Sequence, residues 1–204
     1  NIKFKPGFWT NFTKEILKDS KNFGVNNKEK KKKYLIEFVS ANPTGPLHIG
    51  HLRGAVFGDV LSKLLSKSGF QVTKEYYVND LGVQVDNLAL SVKHHIENFL
   101  NNKKVPLKEN MYKGDYIKKI ADDYINSKFS DRYDFESIKK FSVQSNLKQI
   151  NDDLKSIGVT FDNYISEKEN FNRGLVEKVI EKLESQNDIY FGVLEKPKGK
   201  SDSH

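Results

Sequence analysis

"SANPTGPLHIGHLRGAVFGDV", residues 40–60, puts two prolines, four glycines and two histidines at the entrance of an apolar-periodic segment. Upstream, "KKYLIEFVS" (Lys32–Ser40) is a short apolar run rich in strand formers, which predicts a buried strand. Downstream, Ile49, Leu52, Val56, Val60, Leu64 and Leu65 recur at three- and four-residue steps. They mark the apolar face of an amphipathic helix closed by Gly69. "FQVTKEYYV" (Phe70–Val78) predicts a second strand. Strand, helix, strand within about 45 residues is a βαβ unit with parallel pairing, so the fold class is α/β.

Ligands of open parallel sheets bind beyond the carboxyl ends of the strands, where this loop lies. Pro43 and Pro46 fix φ and forbid an early helix start. Gly45 and Gly50 let a flat or charged ligand approach the backbone. The helix N-terminus offers unpaired N–H groups, and His48 and His51 share a face from which imidazole N–H groups reach a phosphate. Two other readings compete. A zinc pair lacks a completing Cys or spaced carboxylate, and a purely structural capping loop needs no ligand at all. No Walker lysine follows the glycines.

Further along, Leu81, Val85, Leu88, Val92, Ile96 and Phe99 predict a helix, and "NNKKVPLKEN" (Asn101–Asn110) a polar break. Helical patterns follow at Tyr112–Phe129 and Glu136–Ile157, then a strand at Gly158–Ile165 and a helix at Phe171–Leu183. A hairpin-like ending starts at Asp188, and the opening residues lead into one helix. His94 and His95 are about 100° apart on a helix and read as solvated or packing residues.

The chain has 204 residues, no cysteine and a formal charge of +7. That length supports one substantial core, and the lack of cysteine fits a reducing cytosol. No run has transmembrane length. The charge admits an RNA partner, but only Arg53, Arg132 and Arg173 of the 34 basic residues are arginine, a bias that an A-rich genome also explains. "KEKKKK" (Lys28–Lys33) reads as a solvated connector. The chain starts at Asn1 rather than Met and is expected to be a piece of a larger protein.

"HIGH" (His48–His51) after a strand and "NPTGP" resembles the ATP signature of class I aminoacyl-tRNA synthetases. The longer "SANPTGPLHIGHLRGAVFGD" resembles arginyl-tRNA synthetase, as do "KEYYVNDLGVQVDNL" (Lys74–Leu88) and "LKSIGVTFDNYISE" (Leu154–Glu167). The resemblance implies the first half of a Rossmann-like nucleotide-binding sheet with a mostly helical insertion. Residues 1–31 would end an N-terminal accessory region and linker, 32–100 form the first half of the catalytic domain, and 101–204 form an insertion facing the tRNA acceptor end. The rest of the fold would lie beyond His204, so the chain alone is expected to be inactive.

It further implies that L-arginine and ATP, with Mg²⁺, react to arginyl-adenylate, whose arginyl group moves to tRNA(Arg). The whole protein would be a cytoplasmic monomer with no membrane attachment and no resident metal. His48 and His51 match the signature histidines, with Pro43, Gly45 and Gly50 beside ATP. Glu37, Ser40, Ala41, Asn42 and His51 match the arginine pocket. For Glu37 the alternative is an edge-strand residue facing water, and for Asn42 a loop-capping amide. Asn79, Asp80, Gly82 and Gln84 match a site-shaping segment that turn chemistry alone also explains. "KPKGKS" (Lys196–Ser201) resembles the second lysine-rich signature but follows the histidines too closely to be it. Competing functions are a small adenylyltransferase of the same superfamily and a non-catalytic, synthetase-like RNA-binding or regulatory protein.

Overall fold

The computed structural model describes residues 2–25, 32–127 and 133–192. In chain order these form α1 (Phe8–Lys18), β1 (Lys33–Glu37), α2 (Ile49–Lys67), β2 (Gln71–Val78), α3 (Val83–Leu100), α4 (Asp115–Ile125), α5 (Phe135–Ser156), β3 (Asn163–Ser166), α6 (Glu167–Asn172) and α7 (Leu175–Ser185). β1, β2 and β3 lie in that order in one parallel sheet, Lys33 opposite Gln71 and Glu75 opposite Asn163. The α/β reading and the βαβ unit are therefore present. β3 lies within the segment assigned to the insertion, yet it extends the same sheet.

Two cores hold these elements. Phe38, Tyr76, Val78, Ile150, Leu154 and Val159 pack between the sheet, α2 and α5. Leu88, Val92, Ile96, Ile117, Ile120, Tyr124 and Ile138 form a second core among α3, α4 and α5. Burial of such aliphatic and aromatic side chains contributes roughly 1.5–3 kcal/mol each, which fixes the helical unit against the sheet.

Four expectations need correcting. β1 is not buried: Leu35 is 61% exposed, Ile36 is half-buried against the core, and Phe38, just past the strand, is the first residue to enter it. It is an edge strand, and one face of the sheet is uncovered among the described residues, whereas parallel sheets are ordinarily covered on both.

α2 exists as predicted but seats the opposite face. Its buried residues are Ala55, Gly58, Asp59 and Ser62, while Ile49, Leu52, Val56, Val60 and Leu64 are exposed. The reason is contact distance. A Cβ on Gly58 would stand 2.2 Å from Phe38 Cγ, so only the small-residue face lets the helix lie on the sheet. Asp59 pairs with Lys63 one turn on in the same helix and reaches across to Lys74 of β2 at 3.8 Å, the one of the two ion pairs that joins helix and sheet.

The predicted helix Phe171–Leu183 is two helices, because Gly174 takes φ +64° and starts α7 afresh. The strand predicted at 158–165 begins at Asn163, since Gly158 at φ +77° turns the chain and Val159 drops into the core.

The helix predicted from Tyr112 starts at Asp115, after Gly114 at φ +146°. Its predicted end at 128–129, most of the lysine run, Arg132 and the "KPKGKS" segment lie outside the described residues. So does most of the hairpin-like ending, of which residues 188–192 form no strand. No helix among the described residues is long and apolar enough to cross a membrane.

Candidate active site

The chain leaves β1 through an abrupt bend. Val39 sits at φ +66° and Ser40 at φ +39°, and the Ser40 N–H donates to the Phe38 carbonyl across two residues (2.9 Å). A β-branched residue at positive φ is strained, costing about 1–3 kcal/mol, and persists only where its surroundings over-determine it. Here they do. Ser40 Oγ donates to Glu37 Oε1 (2.8 Å) and accepts from the Tyr77 N–H (3.0 Å), while Asn79 Nδ2 donates to the Ser40 carbonyl (3.0 Å).

Beyond Ser40, carbonyl after carbonyl is held by a side chain from another element. Tyr76 Oη donates to the Ala41 carbonyl (2.8 Å), Asn146 Nδ2 to that of Pro43 (3.0 Å) and Tyr116 Oη to that of Thr44 (2.9 Å). Burial pushes both tyrosine hydroxyls up, so they stay protonated donors. Ala41 and Pro43, expected beside arginine and ATP, have buried side chains, so what they supply is backbone shape. Gly45 leaves room for the Tyr116 hydroxyl, which a Cβ would meet at 3.3 Å.

The histidines stand where the loop becomes α2. His48 is the N-cap, one residue before the first turn, and His51 is the third helical residue. The Gly50 N–H donates to His48 Nδ1 (3.1 Å), and the His48 N–H donates to His51 Nδ1 (3.2 Å). This is a reciprocal capping box with imidazoles in the usual Ser and Glu places. Its chemical consequence is decisive for the site. Because each Nδ1 accepts, each neutral ring carries its proton on Nε2. The rings stack with centroids 3.8 Å apart, so two N–H donors stand side by side at a helix N-terminus. Gly50 is required at close quarters, since a Cβ would lie 2.9 Å from His48 Cε1. The capping reading and the phosphate reading are thus compatible.

Burial, and then the neighbouring His48, lower the pKa of His51 from 6.5. The folded state favours the neutral ring, so its contribution to stability is present above pH 6.5 and lost as pH falls through the lowered value. We expect acid to destabilise the wild-type protein more steeply than His51→Asn below that pH. Parallel pH–stability curves for the two would contradict the assignment.

The remaining predicted residues divide. Asn42 Nδ2 donates to Gln84 Oε1 (2.6 Å), which joins the signature loop to the segment after β2. Gly82 at φ +95° precedes α3, a conformation that favours glycine. Asp80 turns away to β3 and α6, accepting from Ser166 Oγ (2.7 Å) and the Lys168 N–H (2.9 Å). Glu37 is exposed on the edge strand, opposite Glu75 in the ladder. The Tyr77 hydroxyl beside them is pushed up, first by burial, then by the carboxylates of Glu167, Asp80 and Glu37. The carboxyl ends of the strands therefore gather carboxylates around the Tyr77 hydroxyl.

The catalytic-domain family of class I tRNA synthetases (R) matches residues 13–190. The chain is 46% identical to the arginine–tRNA ligase of Pelagibacter ubique over its whole length, and 44% identical to that of Anaplasma phagocytophilum over 93% of it. It spans about a third of those relatives, 36% and 33%. A crystal structure assigned as an arginyl-tRNA synthetase from Campylobacter jejuni superposes on 93% of the chain, and 42% of its own, with TM-score 0.80 and 32% identity. The chain belongs to the class I arginyl-tRNA synthetases. The fold extends to the Thermus thermophilus arginyl-tRNA synthetase, at TM-score 0.56 and 20% identity over 85% of this chain and 30% of that one.

Within this arginyl-tRNA synthetase chain, Tyr76, Tyr116 and Asn146 are the site residues that the sequence pattern does not reveal. Each is one polar group in an otherwise helical or strand-like stretch, and its partner is 35, 72 or 103 residues away. An Asn at a position with core spacing was the only available signal, because a buried amide demands a partner. Asn146 is 1% exposed within the buried face of α5.

Proposed function

We propose that this chain supplies one wall of an arginine–tRNA ligase site, in which L-arginine and ATP, taken as its Mg²⁺ complex, form arginyl-adenylate before transfer to tRNA(Arg). The observation that carries the reading is the pair of Nε2–H donors fixed by the capping box of His48 and His51. The arginine carboxylate attacks the α-phosphorus and pyrophosphate leaves, so negative charge grows on the phosphate oxygens. Donors already in place stabilise that charge more than the ground state, with no covalent bond to the protein. The stiff loop of residues 40–47 limits the motion of those donors, and Gly50 lets the nucleotide lie against the helix start.

Glu37, Ser40 and Asn42 form the arginine side. Ser40 Oγ orients the Glu37 carboxylate, and Asn42 is held by Gln84. A guanidinium is the forked cation that such a carboxylate and the negative field around Tyr77 suit. Glu37→Gln in the full-length protein is expected to weaken arginine binding by roughly 1.5–3 kcal/mol and to leave ATP binding nearly unchanged. An unchanged Michaelis constant and turnover for arginine would return Glu37 to an ordinary solvent-facing residue.

On this reading residues 32–100 begin the catalytic domain, α4 and α5 belong to an insertion that braces the loop, and β3 brings the chain back to the sheet. The uncovered sheet face and the apolar stripe of α2 are then surfaces for the remainder of the enzyme. The whole enzyme works as a cytoplasmic monomer, and the cysteine-free composition suits a reducing compartment. The test is charging of tRNA(Arg) by the full-length protein with arginine, ATP and Mg²⁺. Charging confirms the reading, and activation of a different amino acid overturns it.

A further inference from the structure

A groove of about 500 Å³ opens where the loop after α3 passes α4, sharing no residue with the histidine loop. Lys103, Lys104, Lys118 and His95 line it, with Asp122 the one carboxylate among its lining residues. The loop that carries the first two lysines is fixed in place. The Lys103 N–H donates to the Asn98 carbonyl (2.9 Å), the Val105 N–H donates to Asn98 Oδ1 (3.2 Å), and Asn98 Nδ2 donates back to the Val105 carbonyl (3.0 Å). His94 Nε2 lies 2.8 Å from the same carbonyl.

A bidentate clamp of this kind fixes the backbone from which both lysine side chains extend at the groove. Neither lysine forms a salt bridge among the described residues, and Lys118 has only the exposed Asp115 at 3.3 Å. The ring of Phe99 beside them is 66% exposed.

The local field agrees with this inventory. The His95 pKa is lowered first by burial, then by His94 and Lys118, with Asp122 opposing. Three cations around a concave surface, facing one carboxylate, fit an anion of extended shape. An exposed aromatic ring next to them fits a base stacked beside a phosphate.

We infer that this groove is an RNA-contact surface, in which Lys103, Lys104 and Lys118 hold backbone phosphates and Phe99 stacks on an unpaired base. The inference rests on the synthetase reading for the identity of the RNA, tRNA(Arg), and adds to it a contact away from the adenylation site.

The experiment titrates full-length wild-type protein and a Lys103→Glu/Lys104→Glu variant with a tRNA(Arg) transcript at salt concentrations between about 50 and 200 mM. The double reversal should weaken binding on the order of tenfold at the lowest salt and reduce the slope of log K against log salt by about two. Phe99→Ala should weaken binding about tenfold without changing that slope. Lys103→Gln/Lys104→Gln should fall between wild type and the reversal, and ATP binding should match wild type in all variants. An affinity and salt slope identical to wild type in the double reversal overturn the groove, and so does wild-type protein that binds no RNA. Wild-type protein that binds RNA without charging arginine overturns the synthetase reading instead, and the reversal still judges the groove.

Discussion

His48→Asn in the full-length protein is expected to lower arginine-dependent ATP–pyrophosphate exchange by roughly 10²–10³, the usual loss for one transition-state donor. The melting temperature should hardly move. Asn is a good N-cap, and its side-chain oxygen can take the Gly50 N–H that His48 Nδ1 now accepts. What it lacks is the reach of Nε2. His48→Gln makes the converse test. Its amide reaches outward, so it should retain more activity than Asn, while the cap is weakened by up to about 1 kcal/mol. If Asn and Gln lost activity in proportion to lost stability, His48 would be a helix cap and nothing more. Exchange is read with saturating arginine and tRNA, so the loss reports the chemical step.

Gly58→Ala carries the largest expected cost in stability. The new Cβ would come within 2.2, 2.4 and 2.6 Å of the Phe38 ring carbons and Cβ, and Phe38 is itself buried at 9% exposure. Neither a helix nor a packed ring can yield by an ångström, so the variant is expected to lose about 3 kcal/mol, the upper end of ordinary overpacking. Gly54→Ala is the control four residues away on the same helix. Nothing lies within 4 Å of its Cβ position, so helix propensity alone should make it stabilising by up to about 1 kcal/mol. Because Phe38 enters the strained bend at Val39, Gly58→Ala should also reduce exchange activity in the molecules that stay folded. Chemical denaturation of the three proteins decides the matter. Equal stability of Gly58→Ala and wild type would mean that α2 does not lie as closely on the sheet as described.

These two experiments fall on either side of what the sequence could reveal. The strand–loop–helix–strand unit was legible because apolar spacing and the prolines act locally, and the histidine pair was legible because its spacing and flanks are so distinctive. The face of α2 was not. Ile49, Leu52, Val56, Val60 and Leu64 are the more apolar stripe, and periodicity picks the more apolar side. The contact is set instead by how near two backbones come, which depends on Phe38 across the interface.

The same limit explains Glu37. Its strand reads as buried from composition, but burial depends on which elements cover it, and among the described residues β1 is an edge. The tyrosine and asparagine side chains that hold the loop carbonyls act over long stretches of chain, and no local pattern encodes them. The bend at Val39 and Ser40 lacks a sequence signal as well, since neither residue favours positive φ.

The central claim is that His48 and His51 are locked as Nε2–H donors that serve the phosphates of ATP. Nitrogen-15 spectra of the imidazoles in the full-length protein, recorded above pH 7 with and without ATP, test it most directly. The account predicts that both rings are the Nε2–H tautomer before ligand is added, and that ATP moves both Nε2 resonances while each Nδ1 keeps its backbone partner. A proton on Nδ1 of either ring, or Nε2 resonances that ignore ATP in a protein that still activates arginine, would contradict it.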